Sequence, residues 1–115
     1  MSRLCLSVAV CCVALGVTST PASASYHLTR KQAIHALRAY LHGDYPGYYT
    51  SVACGPGANP SPLRNGRRHR WSCGWGVFRE PTGEEQCGGT ASVRGRTGKR
   101  SLVKLSNKYG PGCLA

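Results

Sequence analysis

The chain has 115 residues, with 15 Lys and Arg against four Asp and Glu and a formal net charge of +11. That length holds one small domain and excludes a large enzyme core. Four acids, three of them within six residues of one another, leave little material for paired-carboxylate catalysis.

The first 24 residues read as an export signal. Arg3 gives a positive start, Leu4 to Val17 an apolar run, and Ala22-Ser23-Ala24 a small-residue cleavage site. The apolar run is shorter than the roughly 20 residues a membrane span needs and lacks a basic stop-transfer flank. Cys11 and Cys12 raise the possibility of a lipid anchor, but Val10 is not the small residue expected before a lipidated cysteine. Cleavage after Ala24 leaves 91 residues and a net charge of about +10 once Arg3 is gone.

Of the seven cysteines, Cys54, Cys73, Cys87 and Cys113 belong to the mature chain. An even number in an exported domain too small to rely on its core alone predicts two disulfides, and none of the spacings suits a zinc site. No metal or other cofactor is expected.

Thr29-Arg30-Lys31-Gln32 has the form of a helix capping box, with Leu28 and Ala33 placed as a hydrophobic staple. Ala33, Ile34, Leu37, Tyr40 and Leu41 make an apolar stripe over Arg30 to His42, and Gly43 is expected to end the helix. Lys31, His35, Arg38 and His42 share the opposite face, read as solvated. The tyrosines of Asp44 to Tyr49 are expected either to cover an open end of the core or to offer a stacking surface.

A first strand is expected over Tyr48 to Cys54, with Val52 and Cys54 inward, and a loop from Gly55 to Gly66. A second strand runs from His69 to Arg79, with Trp71, Cys73, Trp75 and Val77 on one face. A third runs from Glu85 to Arg94, with Cys87, Ala91 and Val93 on one face. Between them, Pro81 and Gly83 suit a three-residue hairpin loop closed by Glu80 and Glu84, with Gly83 left-handed. That closure sets Val77 opposite Cys87, Cys73 opposite Ala91 and Trp71 opposite Val93; a half-step shift would split the apolar set between two faces.

The same logic at Gly95 to Lys99, with Gly98 left-handed, predicts Val93 opposite Ser101, Ala91 opposite Val103 and Gly89 opposite Leu105. The fourth strand is Ser101 to Ser106, and Asn107 to Gly112 turns away. Cys87 then lies near the end of the fourth strand, which favours Cys87–Cys113 and Cys54–Cys73. The pairing Cys54–Cys87 with Cys73–Cys113 stays open.

The fold class is therefore α+β: one N-terminal helix on a four-stranded antiparallel meander, disulfide-stabilised, over residues 25–115. In outline it resembles each half of the beta-lactamase inhibitory proteins. It is similar also to small secreted actinobacterial proteins in which a helix precedes Cys-x-Trp and Cys-x-Gly strands, here Cys73-Gly74-Trp75 and Cys87-Gly88-Gly89. The resemblance implies a noncatalytic role and assigns no functional residue.

Nucleophile-elbow, zinc-protease, phosphate-loop and dinucleotide motifs are missing from the sequence. A small basic ribonuclease would need His69 near Glu84 or Glu85, but the second strand separates them by about 33 Å when extended. What remains is charge. Arg64, Arg67, Arg68 and Arg70 precede the second strand; Arg94, Arg96, Lys99 and Arg100 follow the third, and antiparallel pairing brings both groups to one edge. The expectation is a secreted, monomeric, noncatalytic protein whose basic rim binds an anionic partner: a cell-wall polymer, a nucleic acid or an acidic protein surface. The competing expectation is a protein-directed inhibitor or effector that uses the loop Pro56 to Pro62.

Overall fold

The computed structural model describes residues 26–114. The export signal read in residues 1–24 lies outside the described residues. Helix α1 spans Arg30–Asp44. Its capping box is complete: the Gln32 amide donates to Thr29 Oγ1 at 3.2 Å, and the Thr29 amide donates to Gln32 Oε1 at 2.8 Å. Two of the first-turn donors that a helix cannot satisfy internally are thereby used.

Ala33, Leu37 and Leu41 are fully buried and Ile34 partly so, while Lys31, His35, Arg38 and His42 are exposed; Tyr40, expected in the apolar stripe, is exposed instead. The helix passes through Gly43 and stops one residue later. Tyr45 takes the cap and its amide donates to the Leu41 carbonyl at 2.7 Å. Gly43 is not in a left-handed conformation, so nothing stops the chain from continuing the turn until Tyr45 plunges into the core.

Four strands form an antiparallel meander in the order β2-β4-β5-β6: β2 (Tyr49–Gly55), β4 (Arg70–Phe78), β5 (Glu85–Arg94) and β6 (Leu102–Tyr109). The pairings Val77 with Cys87, Cys73 with Ala91 and Trp71 with Val93 are those the apolar pattern requires. The connecting loop differs in detail. A bulge after Val77 pairs Phe78 with Glu85, and the turn is closed by the Gly83 amide donating to the Glu80 carbonyl at 3.2 Å. Pro81 and Gly83 thus take the second and fourth places of a β-turn, where each is favoured, and Gly83 is not left-handed.

The β5–β6 register corrects the expectation by two residues: Val93 pairs with Val103, and Ala91 with Leu105. Gly98 is left-handed, with φ of +70°, but the loop is wider than a three-residue closure. The Gly95 amide donates to the His69 carbonyl at 2.9 Å, and Arg96 Nε donates to the Arg100 carbonyl at 2.7 Å, so loop residues bond elsewhere instead of extending the ladder. A two-residue slip preserves facing, and Val103 and Leu105 still pack on the core side. Strand β6 also continues to Tyr109, three residues past its expected end, by absorbing Asn107 at φ of +53° in a bulge.

The loop expected over Gly55 to Gly66 begins one residue later, since Gly55 pairs with Ser72 as the last residue of β2, and is open up to Leu63; beyond it lies a small sheet absent from the sequence reading. Strand β3 (Arg67–Arg68) pairs with β1 (Leu28–Thr29), and Arg64 bridges back to Arg67. This ties the start of the helix to the approach to β4.

The core holds Leu28, Leu37, Leu41, Trp71, Trp75, Val77 and Val93 between α1 and the inner sheet face. Both indoles are oriented by hydrogen bonds of 2.9 Å, Trp71 to the Leu28 carbonyl and Trp75 to the Thr90 carbonyl. Burial of each large apolar side chain contributes about 1.5–3 kcal/mol. Disulfides Cys54–Cys73, across β2 and β4, and Cys87–Cys113, across β5 and the tail, complete it. Tyr45 seals the hairpin end of the core: its hydroxyl donates to Cys87 Sγ at 3.6 Å and accepts the Leu114 amide at 3.1 Å.

Candidate basic interface

Because alternate residues of a strand share a face, the register fixes what the outer side of the sheet presents. One row runs Ala53, Gly74, Thr90, Ser106; the next runs Gly55, Ser72, Ser92, Lys104. The end row is Arg70, Arg94 and Leu102, with the two arginines directly opposite each other. Like charges in this position repel, at a cost of a few tenths of a kcal/mol to about 1 kcal/mol.

Each arginine of the first group has its own environment. Arg64 is exposed at the bridge, and Arg67 is exposed with Nη1 donating to Gln32 Oε1 at 3.2 Å. Arg70 is half-buried. Its guanidinium donates to the Asn59 carbonyl, while its backbone exchanges hydrogen bonds of 3.2 and 3.3 Å with the Ser61 hydroxyl. The proline-rich loop is thus tacked against the start of β4 by Arg70 itself.

Arg68 does not join the rim. Only 8% of it is exposed. Its guanidinium lies 4.8 Å from the centroid of the Trp71 ring and donates from Nη1 to the Ser61 carbonyl at 3.0 Å, while its Nε has no partner. A cation over an indole face gains a stabilising interaction that offsets part of its desolvation. Strand β3 turns this side chain inward, and the sequence signal for it was weak: a cation three residues before a core tryptophan.

In the second group Arg94, Lys99 and Arg100 are exposed, and Arg96 is held by its bond to the Arg100 carbonyl. Sequence reasoning left Arg30 and Lys104 out of the rim and assigned Lys31 to a solvated helix face. Thr29 pairs with Arg67, so the start of α1, with Arg30 and Lys31 in its first turn, belongs to the same end of the molecule. The positive pole of the helix dipole adds to that potential. Lys104 lies beside the arginine row, across from Ser92.

The acids are at the other end. Glu80, Glu84 and Glu85 occupy the β4–β5 turn, and Asp44 closes the helix, beside the Tyr45–Cys87 contact. Glu85 is also engaged. Its carboxylate lies over Gly76 and Gly88, where any Cβ would strike it, and its hydrogen bond and charge hold the Tyr109 phenol above its ordinary range. His69 stacks on Tyr26 at 4.0 Å near the Arg94 end, a full strand from Glu84 and Glu85. Among the described residues no cluster of three His, Cys, Asp or Glu side chains could hold a metal ion, and no helix is long and apolar enough to cross a membrane.

The four side-chain carboxylates therefore gather at the hairpin end of the sheet, where Arg79 and Lys108 also lie, while the two arginine groups stand at the opposite end. No family model, curated protein or solved structure matches the chain significantly.

Proposed function

We propose that the chain is an exported, noncatalytic protein that binds an anionic polymer through the arginine end of its sheet. The observation that carries this reading is the directly opposed pair Arg70 and Arg94, set among Arg64, Arg67, Arg96, Lys99 and Arg100. Such an arrangement costs the fold a little, and the acids that could relieve it sit at the far end. A polyanion relieves it by neutralising several charges at once and releasing its own counterions. Guanidinium groups suit phosphate, sulfate and carboxylate oxygens because they donate two parallel hydrogen bonds. Export accords with two disulfides in so small a unit.

The test is a set of binding isotherms for the mature oxidised protein on heparin, DNA and an anionic wall polymer at two salt concentrations. A steep loss of affinity with salt, reduced in the Arg70→Gln/Arg94→Gln variant, is the expected result. Binding insensitive to salt and unchanged in that variant would refute the reading.

A further inference from the structure

A second site lies on the opposite side of the sheet, where α1 leaves β6 partly uncovered. The helix carries Ala36 and Ala39 on the side turned toward β6, and these small side chains leave a cleft of about 490 Å³ against Val103 and Leu28, with Tyr40 along one wall. A volume of this size would hold about 16 waters at roughly 30 Å³ each. Along the floor formed by Leu28, Ala36, Ala39 and Val103 they would meet no polar side chain, and Gln32 Oε1 already accepts from the Thr29 amide and from Arg67. Water in an apolar recess is displaced readily by hydrocarbon.

Among the described residues Arg100 is the one guanidinium lining the cleft, with His35 and Ser101 also present, and no carboxylate lines it. Arg96 Nε donates to the Arg100 carbonyl at 2.7 Å, which holds the backbone of that loop and leaves the exposed Arg100 guanidinium uncommitted to any acceptor among the described residues. The four carboxylates that could neutralise Arg100 are at the far end of the sheet. An apolar trough with an exposed guanidinium among its lining residues matches one kind of occupant, a hydrocarbon tail with an anionic head.

We infer that the cleft between α1 and β6 binds a free single-chain carboxylate, its alkyl chain along Ala36, Ala39 and Val103 and its head group on Arg100. The carboxylate accepts two hydrogen bonds from the guanidinium, a geometry that an ammonium head group would oppose. Burial of the chain supplies most of the affinity, and Arg100 supplies the choice of head group. The cleft shares Arg100 with the arginine end of the sheet, but its apolar lining lies away from the Arg70–Arg94 row, and dodecanoate binding there does not require that a polyanion bind the row.

The experiment titrates the mature oxidised protein with dodecanoate, below its micelle concentration, and follows amide and methyl resonances. Dodecyltrimethylammonium serves as the control of like tail and opposite charge. Saturation at one dodecanoate per chain is expected, with shifts concentrated at Ala36, Ala39, Val103 and Arg100, and with the ammonium amphiphile at least about tenfold weaker. Arg100→Gln should weaken dodecanoate about tenfold and leave the ammonium amphiphile unchanged; Ala39→Phe, at an exposed position, should fill the cleft and abolish both. Equal affinity for the two head groups, shifts centred elsewhere, or binding to anionic vesicles without binding of monomeric dodecanoate would each overturn the assignment. So would a concentration-dependent dimer that occupies the same residues.

Discussion

Replacement of Arg94 by glutamine should move stability and polymer binding in opposite directions. Arg94 is exposed and sits directly across from Arg70. Two unit charges on the order of 6 Å apart, the scale of neighbouring cross-strand side chains, repel by about 0.7 kcal/mol in water, less after screening by salt. Glutamine keeps the stem and removes the charge, so folding should gain about 0.5 kcal/mol. For a domain of this size that raises Tm by about 2–4 °C. The same change removes one cationic contact, which should flatten the slope of log affinity against log salt by about 0.7 for a single strand and 0.9 for duplex DNA. Thermal unfolding by circular dichroism and salt-dependent isotherms on one preparation give both numbers. A variant that loses stability while its salt slope stays unchanged would show that Arg94 serves the fold and not a polyanion.

Further outcomes follow from the same structure. Arg68→Met should leave the salt slope unchanged and leave stability equal or up to a few kcal/mol higher in urea titrations, because a buried cation with an unpartnered Nε is replaced by an apolar side chain of similar length. Joint replacement of Cys87 and Cys113 by serine should cost about 3.5 kcal/mol from loop-closure entropy over their separation of 26 residues, read as a lower urea midpoint. Glu85→Gln should bring the Tyr109 phenol back toward its ordinary range in an ultraviolet titration. Because the folded-state value is the raised one, the stabilising effect of Glu85 on protonated Tyr109 is fully present below about pH 10. It is lost as pH rises through the folded-state value, so wild type and variant should converge in stability there.

The parts of the fold that the sequence revealed are those where two local signals agree. At the β4–β5 hairpin the Pro81–Gly83 turn and the alternation of Trp71, Cys73, Trp75 and Val77 demand the same alignment, and Thr29 with Gln32 marks the helix start on its own. The β5–β6 register escaped because its determinants are not local. The Gly95 amide reaches His69 on another strand, and a side chain, Arg96, closes the loop. Parity survived the error, since a slip of two residues leaves Val103 and Leu105 on the inner face. The strand pair of Leu28–Thr29 with Arg67–Arg68 was hidden for a related reason: two residues carry no periodicity. Arg68 was misplaced because charge is read as exposure, and the groups that make its burial tolerable, the Trp71 ring and the Ser61 carbonyl, are not adjacent to it in the chain. For the candidate interface, the convergence of Arg70 and Arg94 was legible as soon as antiparallel pairing was assumed. The contribution of Arg30 and Lys31 was not, because it depends on where the helix begins in space.

Sorting the charges to opposite poles gives the molecule an electric axis, and an axis imposes posture. On a negatively charged layer it would stand with the arginine row down and the turn of Glu80, Glu84 and Glu85 facing outward. The whole molecule stays strongly positive, so in dilute buffer copies should repel one another and stay apart, a repulsion that fades as electrolyte is added.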